Sequence, residues 1–295
     1  MLAGRLADPN CTLGTDPRSD PRMVAALTAI GLAGELPEAP VTVDSPVEDL
    51  LAYCAAAEEM VGSVFDHLAL AAEAPTGVST STVTIPGADG NELTLFVSRP
   101  TAAPDGPLPA VVHFHGGGMI TGSPEMNDVT NQQIAKQHRV AVVSVDYRLA
   151  PEHPYPAGPD DGIAVTKWLL ENAEREFGSG RLITGGESAG GYMAAAVLLR
   201  ARDELQAIDR FLGANLVFGV FDWGRSPSQR GLRAHEGPDV LDPTSILFFT
   251  DCYLPGRSDD ARRDPAISPA FADLRGLPPA LLSVGTTDHL LDDTL

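Results

Sequence analysis

Residues 181–196, RLITGGESAGGYMAAA, decide the fold. They open with a short apolar run of strand type and close on an Ala-rich run of helical type. Between the two lies Gly186-Glu187-Ser188-Ala189-Gly190, a G-x-S-x-G pentapeptide. A strand that turns directly into a helix forces the middle residue into a strained backbone region and lifts its side chain clear of the sheet. Glycines on either side leave room where a Cβ would clash. The helix start adds partial positive charge beside any anion formed there. The pentapeptide alone is common. Its place between strand and helix favours a serine nucleophile over a packing turn.

Working outward, 81–86 (STVTIP) and 92–98 (ELTLFVS) alternate like antiparallel strands around the turn Ala88-Asp89-Gly90-Asn91. Short continuous apolar runs follow at 109–114, 140–146, 181–184, 215–221 and 279–284. Helical segments are expected near 125–137, 159–177, 189–204 and 243–253. Apolar strands alternating with helices specify an α/β protein whose mostly parallel sheet is covered on both faces. Residues 1–22 read as an arm or loop. Residues 23–33 and 46–73 have helical spacing, and Ser45, Pro46 and Glu48 offer a capped start for the second. Its stripe of Leu50, Leu51, Cys54, Ala57, Val61, Val64 and Phe65 suits either packing on the core or a lid over a site. The expected organisation is an N-terminal arm and helical cap over 1–80 and a catalytic domain over 81–295. Residues 222–275 form a polar excursion that contributes to the cap.

A second motif, His115-Gly116-Gly117-Gly118, directly follows the run AVVHF. Three glycines at a strand end let backbone N–H groups converge on one point, as a tetrahedral oxyanion requires. No G-K-[ST] or G-x-G-x-x-G pattern accompanies them, which argues against a phosphate loop. His115 reads as an organiser of this loop rather than as a base.

The net charge is −20, from 40 acidic and 20 basic residues. Phosphate contact needs clustered Lys and Arg, so nucleic acid is excluded as a partner and anionic membrane surfaces are disfavoured. Cys11, Cys54 and Cys252 are odd in number and far apart, indicating neither a disulfide framework nor a zinc site. No stretch approaches the length of a membrane span, and MLAGRLADPN lacks a signal core. The expected location is the cytoplasm.

Several segments together resemble the hormone-sensitive-lipase-like branch of the α/β-hydrolases, the bacterial family IV esterases. They are HFHGGGM (113–119), DYRLAPEHPYPA (146–157), GESAGG (186–191) and DPAISP (264–269) before Leu277-Pro278-Pro279. The resemblance spans about residues 80–295 and implies the α/β-hydrolase fold. It implies Ser188 as nucleophile and the N–H groups of Gly117, Gly118 and Ala189 as oxyanion hole. Asp288 takes the triad acid position, with Asp292 as runner-up. Without the resemblance, an Asp at a strand end reads as a helix cap. The implied substrate is a small-molecule carboxylic ester with a short- to medium-chain acid, with no metal or organic cofactor. The chain departs from the pattern at Met119, where an aromatic is usual, and at Glu187, where an Asp is usual. Both departures bear on the acyl pocket, whose expected lining is Met119, Tyr192, Phe221 and Trp223. The same machinery permits an amidase or deacetylase. A non-catalytic ligand-binding protein on this fold, as in some plant hormone receptors, is the reading from another class.

In this fold the triad histidine follows the acid in chain order, after one further strand. No histidine in the chain takes that position: the seven are His67, His113, His115, His138, His153, His235 and His289. The expectation from the sequence is therefore a C-terminally incomplete esterase, without its last strand, triad histidine and last helix. A homodimer through that last strand and helix is the assembly that the resemblance implies for the complete protein.

Overall fold

The computed structural model describes residues 20–29, 41, 45–53, 55–56, 59, 74–101, 106–230, 243–285 and 288–295. Seven strands form one sheet: β1 (Val78–Pro86), β2 (Glu92–Pro100), β3 (Ala110–Phe114), β4 (Ala141–Asp146), β5 (Leu182–Glu187), β6 (Phe211–Val217) and β7 (Ala280–Ser283). Their order is β1-β2-β4-β3-β5-β6-β7. β1–β2 and β2–β4 are antiparallel, and every later pair is parallel. The first hairpin turns at Gly90, which takes φ +77, and Gly87 N–H donates to Asn91 O at 2.7 Å.

The helices are α1 (Pro21–Ala29), α2 (residues 47–53), α3 (Asp128–His138), α4 (Ala157–Phe177), α5 (Ala189–Asp203), α6 (Pro227–Arg230), α7 (Pro243–Tyr253), α8 (Asp259–Arg262) and α9 (Leu291–Thr294). Leu50 of α2 is buried in the main core and Leu51 packs against it, so this part of the stripe serves packing. Cys54, Ala57, Val61, Val64 and Phe65 lie outside the described residues, as does nearly all of the arm over 1–22. No helix among the described residues is long and apolar enough to cross a membrane.

α5 explains its own composition. Twelve of its 15 residues are buried, so it has no polar face and its sequence shows none of the usual amphipathic stripe. Small residues let neighbouring backbones close in. A Cβ on Gly162 of α4 would stand 2.6 Å from Val197 Cγ2, so the two helices cross tightly there.

One expectation needs correction. The run 215–221 continues past the strand it was assigned to. β6 begins earlier, at Phe211, and ends at Val217. Phe218 takes φ +35 and breaks the extended geometry, and Phe218 N–H still reaches Ser283 O of β7. Residues 219–223 are therefore freed to form a wall beside the end of β5.

The DYRLAPEHPYPA segment is held by charge. Asp161 of α4 is fully buried. Arg148 grips it with Nε at 2.9 Å and Nη2 at 2.9 Å, and Arg148 N–H adds a bond at 3.0 Å. Arg148 Nη1 also meets Asp89 at 2.9 Å. Removing one partner of a buried pair strands the other charge, at a cost of about 3–5 kcal/mol. Arg148→Ala should lower unfolding stability by that order in urea denaturation, and a change under about 1 kcal/mol would show the pair to be dispensable.

Candidate active site

β5 turns into α5 at Ser188, whose φ is 56 and ψ −121. A non-glycine residue pays about 1–3 kcal/mol for such a conformation, so the surroundings must enforce it. Ser188 N–H donates to Val217 O of β6 at 2.9 Å. A Cβ on Gly190 would overlap Phe114 O and stand 2.7 Å from His115 O, and one on Gly186 would also overlap Phe114 O. The elbow thus lies flat against the end of β3. Ser188 is half-buried, and its hydroxyl engages no described residue.

The loop after β3 lies against the same point. A Cβ on Gly116 would stand 3.5 Å from Ser188 Cβ. Gly117 and Gly118 take φ +116 and +63. Side chains there would run into Thr121 O and the Phe249 ring. The N–H groups of Gly117, Gly118 and Ala189 donate to no described residue. Three unengaged donors beside an unengaged hydroxyl are what acyl transfer requires.

Glu187 braces this arrangement, a role the sequence did not reveal. Its Oε1 accepts from Gly116 N–H at 3.1 Å, and its Oε2 accepts from His113 Nε2 at 3.2 Å. Asn131 Nδ2 donates to His113 Nδ1 at 3.3 Å, which leaves the Nε2 proton for Glu187. Burial alone would raise the Glu187 pKa, but the bonds from His113 and Gly116 outweigh it and hold the carboxylate below its usual range. Its carboxylate thus ties the Gly116–Gly118 loop to the elbow.

His115 organises the loop. Its Nδ1–H donates to Gly116 O at 2.7 Å. Its ring stacks on Tyr147 at 4.3 Å and 13°, and Tyr147 OH donates to His115 O at 2.7 Å. Burial is the main cause that lowers its pKa from 6.5 to about 4.

A cavity of about 30 Å³ opens on Ser188, lined also by Gly118, Val220, Trp223, Gln229, Ile246, Phe249, Thr250 and Leu290. Of the four expected lining residues, Trp223 is on the wall and three are not. Met119 takes φ +67 and is fully buried, with Cε beneath Gly158. Tyr192 is buried behind the wall, its hydroxyl 2.9 Å from that of Tyr253. Phe221 packs against Gly219. α7 supplies Ile246, Phe249 and Thr250 instead, and the only hint in the sequence was an apolar ILFF run inside a polar excursion.

Asp288 is half-buried, and its Oδ1 accepts from Leu290 N–H at 2.8 Å, two residues from the cavity wall. Asp292 is exposed. The buried acid is Asp293, which the sequence did not single out. It accepts from Phe221 N–H at 2.9 Å, Asp222 N–H at 2.8 Å and Gln229 Nε2 at 2.9 Å. Burial outweighs these donors and pushes its pKa up to about 6. No described histidine has a hydrogen bond to Ser188: His113 and His115 are engaged as above, His138 and His153 are exposed, and His289 adjoins Asp288. His67 and His235 lie outside the described residues. No cluster of His, Cys, Asp and Glu among the described residues is arranged to hold a metal.

Comparison with known proteins bears on this geometry. Residues 111–295 match a family model described as alpha/beta hydrolase fold, and residues 66–152 match one described as the carboxylesterase family. Carboxylesterase NlhH of Mycobacterium tuberculosis is 39% identical over 192 residues, 63% of this chain and 58% of the relative. The carboxylic ester hydrolase LipN of the same organism is 35% identical over 240 residues, 77% of this chain and 61% of the relative. The chain thus spans less than two thirds of the length of these relatives. A solved brefeldin A esterase, described as a bacterial homologue of human hormone sensitive lipase, superimposes with a TM-score of 0.80 at 32% identity. That match covers 99% of this chain and 83% of the other.

Two predictions follow from the geometry. Ser188→Gly should relieve the strain and raise stability by about 1 kcal/mol in urea denaturation, and an unchanged or lower midpoint would deny the strain. The second concerns protons. For His115 the folded pKa lies below the unfolded one, so stability is lost as pH falls from 6.5 towards 4. For Asp293 the folded pKa lies above the unfolded 3.8, so stability is lost as pH rises from there to about 6. The two slopes oppose over most of this window, so bulk stability hides them. Site-resolved NMR should find His115 neutral with its proton on Nδ1 at pH 5, and Asp293 titrating near 6.

Proposed function

The chain belongs to the α/β-hydrolase-fold family, on the branch resembling hormone-sensitive lipase, and from that premise we propose that it is a serine carboxylesterase. The observation that carries the proposal is the strained, unengaged Ser188 at the wall of a mostly apolar cavity, with the glycine loop after β3 packed against it and the N–H groups of Gly117, Gly118 and Ala189 engaged by no described residue. The similarity to named esterases supports it.

In this mechanism the acyl group of the ester enters the cavity. Ser188 Oγ attacks the carbonyl carbon as its proton passes to a general base, and the carbonyl π pair moves onto oxygen. The oxyanion accepts from Gly117, Gly118 and Ala189 N–H, held in place beforehand by Glu187 and by the helix start. Collapse returns that proton to the departing oxygen, expels the alcohol and leaves an acyl-enzyme; water then adds its oxygen to the acyl carbon, its proton passes through the base to Ser188 Oγ, and the acid leaves. Asp288 is the residue we assign to orient the base. None of the described histidines takes the place of that base. The five apolar lining residues, Val220, Trp223, Ile246, Phe249 and Leu290, suit the hydrocarbon part of a short- to medium-chain acyl group.

A fluorophosphonate probe should label the protein and fail to label Ser188→Ala. Hydrolysis of p-nitrophenyl acetate should be at least about tenfold faster with the unaltered chain than with that variant; loss of the serine in a complete triad costs on the order of 10⁶. Equal labelling and equal rates would overturn the assignment of Ser188.

A further inference from the structure

One wall of the cavity rests directly on the loop after β3. Phe249 of α7 lines the cavity together with Ser188 and Gly118. A Cβ on Gly118 would overlap Phe249 Cδ2 and stand 2.8 Å from its Cγ and 3.0 Å from its Cε2. One C–C bond adds about 1.5 Å, so the ring meets Gly118 Cα at van der Waals distance. Gly118 also carries one of the N–H groups that donate to no described residue. The ring therefore covers the backbone next to a candidate oxyanion donor, and a group held by that donor has Phe249 beside it.

α7 is seated on the core at the residues around Phe249. Tyr253 O accepts from Tyr155 N–H at 3.0 Å, and the Tyr253 hydroxyl lies 2.9 Å from that of Tyr192. Phe248 is buried in the core, and its ring lies 6.2 Å from that of Phe249 at 53°. Phe249 itself is half-buried and packs against the same core. Trp223, the other aromatic residue of the wall, is fixed as well. Its backbone N–H donates to Ser268 Oγ at 2.9 Å, and its ring packs on Tyr253 at 4.9 Å and 48°. Tyr253 thus steadies both aromatic residues. A wall set before binding selects by shape, because widening it disturbs close-packed neighbours.

We infer that Phe249 is a specificity-determining residue, whose ring restricts the site to acyl groups unbranched at the α-carbon. This rests on the reading of the cavity as the acyl site of a serine esterase. An oxyanion lies about 3 Å from its donors, and the acyl α-carbon is two bonds from that oxygen. With Gly118 N–H as a donor, the α-carbon comes close to the ring that covers Gly118. One substituent on that carbon can run along the cavity past Phe249. A second must point elsewhere, and the ring takes up the space on the Gly118 side. Acetyl, propionyl and butyryl groups fit such a wall, whereas isobutyryl and pivaloyl groups meet the ring.

Butyramide and isobutyramide are isomers that differ only in branching at the α-carbon, so they isolate this contact without turnover. In NMR titrations of the ¹⁵N-labelled protein, butyramide should bind about tenfold tighter than isobutyramide. Its α-protons should show a nuclear Overhauser contact to the Phe249 ring. Phe249→Ala should bring the ratio close to one by admitting isobutyramide. Phe249→Leu, which keeps an apolar side chain on Gly118, should bring it part of the way. The inference is overturned if the unaltered protein binds the isomers alike, if the Overhauser contact is missing, or if the tenfold ratio survives in Phe249→Ala. Should neither variant fold, the ratio and the Overhauser contact in the unaltered protein decide. Fluorophosphonate labelling of Ser188, run alongside, separates the two claims: labelling without an isomer preference defeats this inference alone, and an isomer preference without labelling defeats the esterase assignment alone.

Discussion

Everything at the site depends on how closely α5 approaches the end of β3. The carbonyl oxygens of Phe114 and His115 occupy the space where side chains at Gly186 and Gly190 would stand. Only with those two Cβ atoms absent can the elbow lie against the loop of Gly116–Gly118. That approach forces Ser188 to φ 56, brings Gly116 alongside it and leaves the start of α5 open to an anion. Glu187 then bonds the loop it touches. The candidate site is built largely from backbone, which side-chain substitution alters least, and the side chains around it hold that backbone still.

This explains which parts were legible in the sequence. Gly186, Gly190 and Gly116–Gly118 could be read because glycine is the residue that close approach and positive φ demand. The alternation of strands and helices could be read because sheets buried on both faces need continuous apolar runs. The expected fold class therefore agrees with the structure and the family match. The end of β6 was missed because Phe218 looks like a strand residue, and only its positive φ breaks the run.

Side chains were harder. Met119 follows three glycines beside Ser188, yet its own positive φ places it in the core below Gly158. Asp288, Asp292 and Asp293 are alike in sequence; which one is buried depends on donors 64 to 72 residues away, at Phe221, Asp222 and Gln229. Glu187 looked like a variation in the elbow and proved to be a brace. In each case the deciding partner lies on another element, and no local pattern encodes it.

The neighbours of Ser188 have a further consequence. Its N–H is held by β6, its flanking glycines rest on β3, and most of its helix is buried between the sheet and α4. None of these contacts is local in sequence, so no isolated hairpin or helix contains the elbow. The strained turn exists only once the central parallel strands have aligned, and it disappears when any of them separates. The site thus belongs to the most cooperative unit of the molecule rather than to a loop that opens on its own. Chemical reactivity at Ser188 therefore reports on the integrity of the whole central sheet.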